Sequence, residues 1–250
     1  MDNSPVFRQK PASYPHLRLI TAVDMGIKRL TISLVFLCFT LVIPFAFVRE
    51  RAVTSERNGF TVVIDAGHGG IDGGAVSPDG KVYESDINLK IAEKLKDRFI
   101  SGGFNVVMTR TTSNGLYGVI GKGFKRRDMA ERVKIAENAK ADALISVHLN
   151  KYFDSSRRGA QTFFKADSEN GKKLAECVQS AFNADINSDR AYSSLAGDYY
   201  ILNETNMPAV ICECGFISNE KDYKLLLTDE HAEKLANAIF FGAINFFASV

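Results

Sequence analysis

From residue 60 onward, short continuous apolar runs alternate with longer segments in which apolar residues recur every three or four positions. The runs at 60–65 (Phe60 to Asp65), 104–109, 143–147, 160–164 and 207–213 are rich in β-branched or aromatic residues and show no alternation with polar ones, as in strands covered on both faces. Between them, Ile87, Ile91, Leu95 and Phe99 share a helical face, in a helix beginning near Ser85-Asp86, where either residue can cap, and stopped by Gly102-Gly103. The same periodicity predicts helices over about 127–139, over 169–184 with Leu174, Val178 and Phe182 in register, and over about 229–248 with Leu235, Ala238, Ile239, Ala243, Ile244 and Phe247. Residues 198–202 read as a short extended piece. This alternation predicts an α/β fold: a single domain over 60–250 with a mostly parallel central sheet flanked by helices.

The N-terminal part has a different pattern. Residues 1–29 are polar and mixed, and read as a tail. Leu30 to Val48 carries no charged residue. As a helix rising about 1.5 Å per residue it nearly spans a hydrocarbon layer of roughly 30 Å, which predicts a transmembrane segment. Arg8, Lys10, Arg18, Lys28 and Arg29 precede it and Arg49, Arg51 and Arg57 follow it, an imbalance that favours a cytoplasmic N-terminus and an extracytoplasmic body. A cleaved signal peptide is the competing reading. The length of the run and the lack of an Ala-x-Ala site after it favour a retained single-pass anchor at 30–48, joined to the body by a polar linker at 49–59.

Composition narrows the function. Of 31 Lys and Arg and 29 Asp and Glu, residues 1–51 hold 7 and 3, so the remainder has 24 basic against 26 acidic side chains. A near-neutral body lacks the electrostatic footprint of a nucleic-acid binder. Four cysteines make a weak disulfide framework for a chain of this size. Cys212 and Cys214 flank Glu213 in a strand pattern, and residues two apart on one strand stand about 6.5 to 7 Å apart. A bridge needs about 3.8 Å between Cβ atoms, so the pair reads as small buried hydrophobes.

Candidate chemistry sits at the ends of the strand runs. After Thr61-Val-Val-Ile the chain enters Asp65-Ala-Gly-His-Gly-Gly, a compact glycine-rich loop that places His68 at a strand's carboxyl end, where open α/β sheets bind ligands. The run at 143–147 delivers His148 to the same edge, and Glu84, just before a helix start, can face back toward it. Two imidazoles and a carboxylate with one open position are the ligand set of a hydrolytic zinc site. Singly, each has a structural alternative: a strand-end His can satisfy a backbone carbonyl, and a Glu can favour a helix amino end. Glu213 tilts the reading, because it interrupts an apolar run where an unpaired carboxylate is costly and a metal-activated water is a fitting partner.

Together, Val62-Val-Ile-Asp-Ala-Gly-His-Gly-Gly-x-Asp-Gly-Gly-Ala, Glu84, Ser146-Val-His-Leu-Asn and Pro208-Ala-Val-Ile-Cys-Glu-Cys-Gly-Phe-Ile-Ser-Asn-Glu resemble the zinc-dependent N-acetylmuramoyl-L-alanine amidases of bacterial cell walls, over about residues 60–248. The resemblance implies Zn2+ on His68, Glu84 and His148, and Glu213 as the catalytic base for cleaving the amide between N-acetylmuramic acid and L-alanine in peptidoglycan. Leu149, where the family often has Ala, is a minor departure, and the loop from Thr111 to Arg127 looks like the anchored branch associated with spore cortex and germination. Asp65, Asp72 and Asn150 are candidates for orienting ligands or substrate. Asn150, Arg126 and Arg127 are candidate substrate contacts, beside Lys122 and Lys125, against a plain solvated face as the alternative. The glycines at 115, 118, 121 and 123 permit a mobile lid. A zinc peptidase cutting within stem peptides shares this chemistry, and a non-catalytic peptidoglycan-binding module would not need Glu213. An exported wall hydrolase is also expected to answer to a regulatory or activating protein partner.

Overall fold

A computed structural model of the chain describes residues 59–250. The predicted tail, the apolar segment at 30–48 and nearly all of the linker lie outside the described residues. Among the described residues no helix is long and apolar enough to cross a membrane.

In chain order the elements are β1 (Thr61–Ala66), α1 (Glu84–Ser101), β2 (Asn105–Met108), α2 (Phe124–Asn138), β3 (Ala143–Asn150), β4 (Gln161–Phe164), α3 (Glu169–Asp185), β5 (Leu195–Ala196), α4 (Tyr200–Asn203), β6 (Ala209–Phe216), α5 (Glu220–Leu226) and α6 (Asp229–Phe247). The strands form one sheet in the order β2-β1-β3-β6-β4-β5. β1, β2, β3 and β6 run parallel, and β4 turns antiparallel against β6. The predicted mostly parallel sheet is therefore present.

Strand pleating divides the core into two faces. Val62, Ile64 and Ala66 of β1 pack with Ile91, Leu95 and Phe99 of α1, with Val178 and Phe182 of α3, and with Ile239 and Phe246 of α6. Val63, between them, points the other way, into a smaller cluster with Leu144, Ile211, Ala136 of α2, and Ile201 and Leu202 of α4. Because α1 leads from β1 to β2 on one side and α2 leads from β2 to β3 on the other, the chain reverses its strand order between β1 and β3. The carboxyl ends of those two strands border the crevice that such a reversal opens.

Some local expectations change. Helix α1 starts one residue before Ser85-Asp86, and neither of those side chains caps it. Its N-cap is Tyr83, without a side-chain cap bond. The first amides instead donate to loop carbonyls, Glu84 N–H to Ala75 at 2.8 Å and Ser85 N–H to Gly73 at 3.1 Å, which ties the glycine loop to the helix start. Helix α2 begins at Phe124, three residues earlier than predicted, because Gly123 adopts φ 79° and lets the chain enter the helix directly from the loop. Residues 198–202 form no strand, and within them Tyr199 is extended only as the residue that precedes a helical turn. The strand lies upstream, at Leu195–Ala196, while Leu202 and Asn203 bond back to the Tyr199 carbonyl in one helical turn that buries Ile201 and Leu202. A short apolar run does not separate the two structures by periodicity. Helix α5 was not anticipated, although Asn219 caps it by accepting from the Lys221 and Asp222 amides.

Helices α3 and α6 approach closely at Gly242, where an added Cβ would lie 2.5 Å from Val178 Cα. Gly242→Val should force these helices apart and lower stability by about 1–3 kcal/mol, read as a reduced midpoint in urea unfolding. An unchanged midpoint would show that the contact tolerates a side chain.

Candidate active site

The site is built on the turn that leaves β1. His68 sits in the left-handed region at φ 61°, uncommon for a residue with a side chain and sterically costly outside glycine. Its neighbours permit the close packing around it. A Cβ on Gly67 would meet the His148 ring at 2.2 Å, and one on Gly74 would meet Glu84 Oε2 at 2.6 Å and His68 Cδ2 at 2.7 Å. The predicted ligands converge as a result. Glu84 Oε1 stands 3.3 Å from His68 Nε2 and 3.0 Å from His148 Nδ1, and the three residues offer ligand atoms within 4.8 Å of one another. The two imidazoles meet nearly edge to face, their centroids 4.9 Å apart. This cluster has the geometry of a site that can hold a metal ion.

Glu84 and His68 are also held from behind. Glu84 Oε1 also accepts from the Leu149 amide at 3.0 Å and from Asn88 Nδ2 at 3.2 Å, while Oε2 accepts from the Ala75 amide at 2.8 Å. His68 Nδ1 lies 2.9 Å from Asp72 Oδ2, and Lys125 Nζ pairs with Asp72 Oδ1 at 3.0 Å. Burial works against charge on both Glu84 and His68. It is outweighed in each case: hydrogen bonds and charge from the two imidazoles hold the Glu84 carboxyl far below the usual range, and Glu84 and Asp72 raise His68 to about 9. The pocket thus favours positive charge between these groups.

Beneath the loop lies an ion network that the sequence pattern did not reveal. Arg132, on α2 and only 1% exposed, donates from Nη1 to Asp65 Oδ1 at 2.6 Å and to the Ala66 carbonyl at 2.8 Å, from Nη2 to the His68 carbonyl at 2.6 Å, and from Nε to Asp128 Oδ2 at 2.6 Å. Arg110, just after β2, donates to the carbonyls of Ala66 (2.7 Å), Gly67 (2.9 Å) and Ser85 (2.8 Å). Thr109 and Ser146 hydroxyls complete Asp65 at 2.6 Å each. Burial opposes the Asp65 charge, but Arg132 and the two hydroxyls hold its pKa down at about 2. Two guanidinium groups therefore fix three successive carbonyls, and with them the strained turn that aims His68. The available signal was the Asp128-x-x-x-Arg132 spacing, which pairs charges on one helix face.

Glu213 completes the row. β3 and β6 are in register at His148 and Glu213, so the two side chains project from one face of the sheet. Glu213 is 9% exposed and its Oε2 has no hydrogen-bond partner among the described residues. Burial pushes its pKa up to about 7, with His148 opposing and Glu84 adding to the rise. A buried carboxylate with an unused oxygen beside a cation-favouring cluster is suited to taking and returning a proton.

Residues 62–245 match the family of N-acetylmuramoyl-L-alanine amidases, Amidase_3. The chain belongs to this family. It is 33% identical over 194 residues to the germination-specific N-acetylmuramoyl-L-alanine amidase of Bacillus subtilis, covering 76% of this chain and 81% of that one. The CwlD amidase from Clostridioides difficile, solved in complex with the GerS lipoprotein, superposes with a TM-score of 0.74 at 35% identity, covering 77% of this chain and all of that one. The catalytic domain of the CwlV amidase from Bacillus (Paenibacillus) polymyxa gives 0.66 at 29% identity, covering 76% and 98%. The activity of the family is N-acetylmuramoyl-L-alanine amidase activity on peptidoglycan, and this chain is an amidase of that kind.

In the amidase the other predicted residues have different surroundings. Asp65 and Asp72 both act behind the His68 turn, as described above. Asn150 ends β3 half-buried, its carbonyl accepting from the Ile217 amide at 2.9 Å. The Arg127 guanidinium is committed to the carbonyls of Tyr117 (3.2 Å), Lys122 (2.9 Å) and Val119 (2.6 Å), so it fastens the loop before α2. Arg126 is exposed on α2. Of the basic group it is Lys125 that reaches the histidine cluster, through Asp72. Cys212 and Cys214 are free and buried, in accord with the strand-spacing argument.

Arg132→Met should leave Asp65 and Asp128 without their partner and cost about 3–5 kcal/mol in urea unfolding. The pH dependence has a definite sign. Asp65 titrates lower when folded than its ordinary 3.8, so its contribution is complete above that pH and is lost as pH falls through about 2. Asp65→Asn should flatten this part of the acid limb of stability against pH, and an unaltered limb would contradict the assignment.

Proposed function

We propose that the chain hydrolyses the amide between N-acetylmuramic acid and L-alanine with a zinc ion held by His68, Glu84 and His148, and with Glu213 as the proton-transferring group. The observation that carries this reading is the unpartnered Glu213 oxygen, buried beside the His-Glu-His cluster. The donor set fits zinc in its chemistry, two imidazoles and a carboxylate, with Glu84 Oε1 3.0 and 3.3 Å from the two imidazoles and all three ligand atoms within 4.8 Å of one another. Held by these residues, zinc would supply Lewis-acid polarisation of the scissile carbonyl and a water that is nucleophilic near neutral pH. Glu213 accepts a proton from the attacking water as its oxygen bonds to the carbonyl carbon. It then delivers that proton to the amine as the carbon–nitrogen bond breaks, so one carboxylate serves both steps and ends as it began. Asp72 holds the His68 ring by its other nitrogen, fixing which nitrogen faces the ion. Asn150, Arg126 and Arg127 are retained as candidate substrate contacts at the rim.

The germination-specific relative supports placing the activity at the spore cortex, and we infer that removal of the peptide there prepares muramic-lactam formation. The likeness to an amidase solved with a lipoprotein supports a lipoprotein as the kind of regulatory partner. The uncharged run at 30–48 supports a single-pass anchor with the catalytic domain on the extracytoplasmic side.

Glu213→Gln should keep its zinc and lose hydrolysis of muramyl-peptide substrate by about 10²–10⁴-fold. A variant as active as the parent would remove the proposed base. His68→Ala and His148→Ala should each lower bound zinc in metal analysis, and full stoichiometry in both would contradict the ligand set. Digested wall should yield free stem peptides beginning with L-alanine beside peptide-free muramic acid, whereas cuts between amino acids would indicate a peptidase.

A further inference from the structure

The catalytic row does not end at Glu213. On its other flank β6 pairs with β4, with Gln161 opposite Glu213 and Phe163 opposite Ile211. Partners across strands project from the same face and neighbouring strands stand about 4.8 Å apart, so His148, Glu213 and Gln161 form three consecutive columns of one surface. Gln161 is half-buried. Its Nε2 donates to the Ser193 carbonyl at 2.9 Å, which leaves its carboxamide oxygen without a hydrogen bond among the described residues. Phe163 shares the face, and the Tyr199 ring meets it edge to face at 5.5 Å between centroids. Gly197 makes room for this, since a Cβ there would lie 2.4 Å from the Tyr199 ring. Tyr199 is 36% exposed. Burial and the Glu213 charge raise its pKa, so its hydroxyl stays protonated and available as a donor.

The chemistry gives this surface a direction. For Glu213 to return a proton, the leaving nitrogen has to come within hydrogen-bond reach of its carboxylate while the carbonyl carbon lies over the His-Glu-His cluster. The half of the substrate that begins at that nitrogen then continues past Glu213, away from the histidines. The next side chains in that direction are Gln161 and Tyr199. Beyond them is the edge strand β5, where Leu195 is exposed.

We propose that Gln161 and Tyr199 form the subsite for the leaving peptide, the Gln161 carboxamide accepting from a peptide N–H and the Tyr199 hydroxyl donating to a peptide carbonyl. The muramyl half lies on the opposite flank, toward His68, Asp72 and Lys125. The inference deepens the amidase reading and rests on its assignment of Glu213.

The test is equilibrium binding of the two reaction products, each alone, to the zinc-loaded full chain. The probes are a free stem peptide beginning with L-alanine and a peptide-free disaccharide containing muramic acid. Gln161→Met keeps side-chain length while giving up the bond to the Ser193 carbonyl, and Tyr199→Phe keeps the ring against Phe163. Each should weaken peptide binding about five- to tenfold, the effect of one lost hydrogen bond with its partner left unpaired, and leave disaccharide binding unchanged. Weakened disaccharide binding, equal weakening of both, unchanged peptide binding, or no peptide binding by the parent would overturn the subsite. Hydrolysis by the parent separates the two levels of the account: an inactive zinc-loaded parent counts against the amidase mechanism, and an active parent whose peptide affinity ignores both substitutions counts against this subsite alone.

Discussion

The constraint on which the site depends is the conformation of three residues, Ala66 to His68. Their carbonyls have to turn inward, away from solvent, if the His68 side chain is to face His148 and Glu84. Inward carbonyls need donors, and the fold supplies them as Arg110 and Arg132. A buried guanidinium in turn needs a countercharge, so Asp65 and Asp128 are buried with it. Arg132 reaches through Asp128 to the Leu116 amide, which ties the loop before α2 into the same network. The site is therefore held less by its own contacts than by an ion cluster one layer below it.

The parts of this arrangement legible in the sequence were those where polarity breaks an apolar run. His68 and His148 follow strand patterns, and Glu213 interrupts one, so each stands out as a polar side chain at or near the carboxyl end of a strand. The parallel sheet was readable for the same reason, because strands covered on both faces leave continuous apolar runs. Arg132 was hidden, since an arginine between Met129 and Val133 reads as the solvent side of a helix, and only the threefold carbonyl ladder of a folded loop shows why it is inside. Arg127 has a role the sequence did not show: its guanidinium is engaged by three carbonyls of the preceding loop. The turn of α4 was misread because four residues do not carry a period.

Stability and chemistry pull against each other at one atom. Nearly every buried polar group around the site is satisfied, Asp65 by a guanidinium and two hydroxyls, Glu84 by two amides and a carboxamide. Among the described residues Asn88 Oδ1 and Glu213 Oε2 are not, and for Glu213 burial lifts the pKa toward neutrality. Strand register sets this carboxylate beside His148 on β3 and beside Gln161 on β4, so the sheet itself orders the proposed site into histidine cluster, proposed proton-transferring group and proposed leaving-group flank. That order follows from strand adjacency, which is why residues far apart in sequence can act in one reaction.

The most direct measurement is X-ray absorption at the zinc edge of the metal-loaded protein. The account predicts a first shell of nitrogen and oxygen only, at about 2.0–2.1 Å, with the outer-shell scattering of two imidazoles. A sulfur shell at about 2.3 Å, or scattering from fewer than two imidazoles, would contradict the assignment of His68, Glu84 and His148.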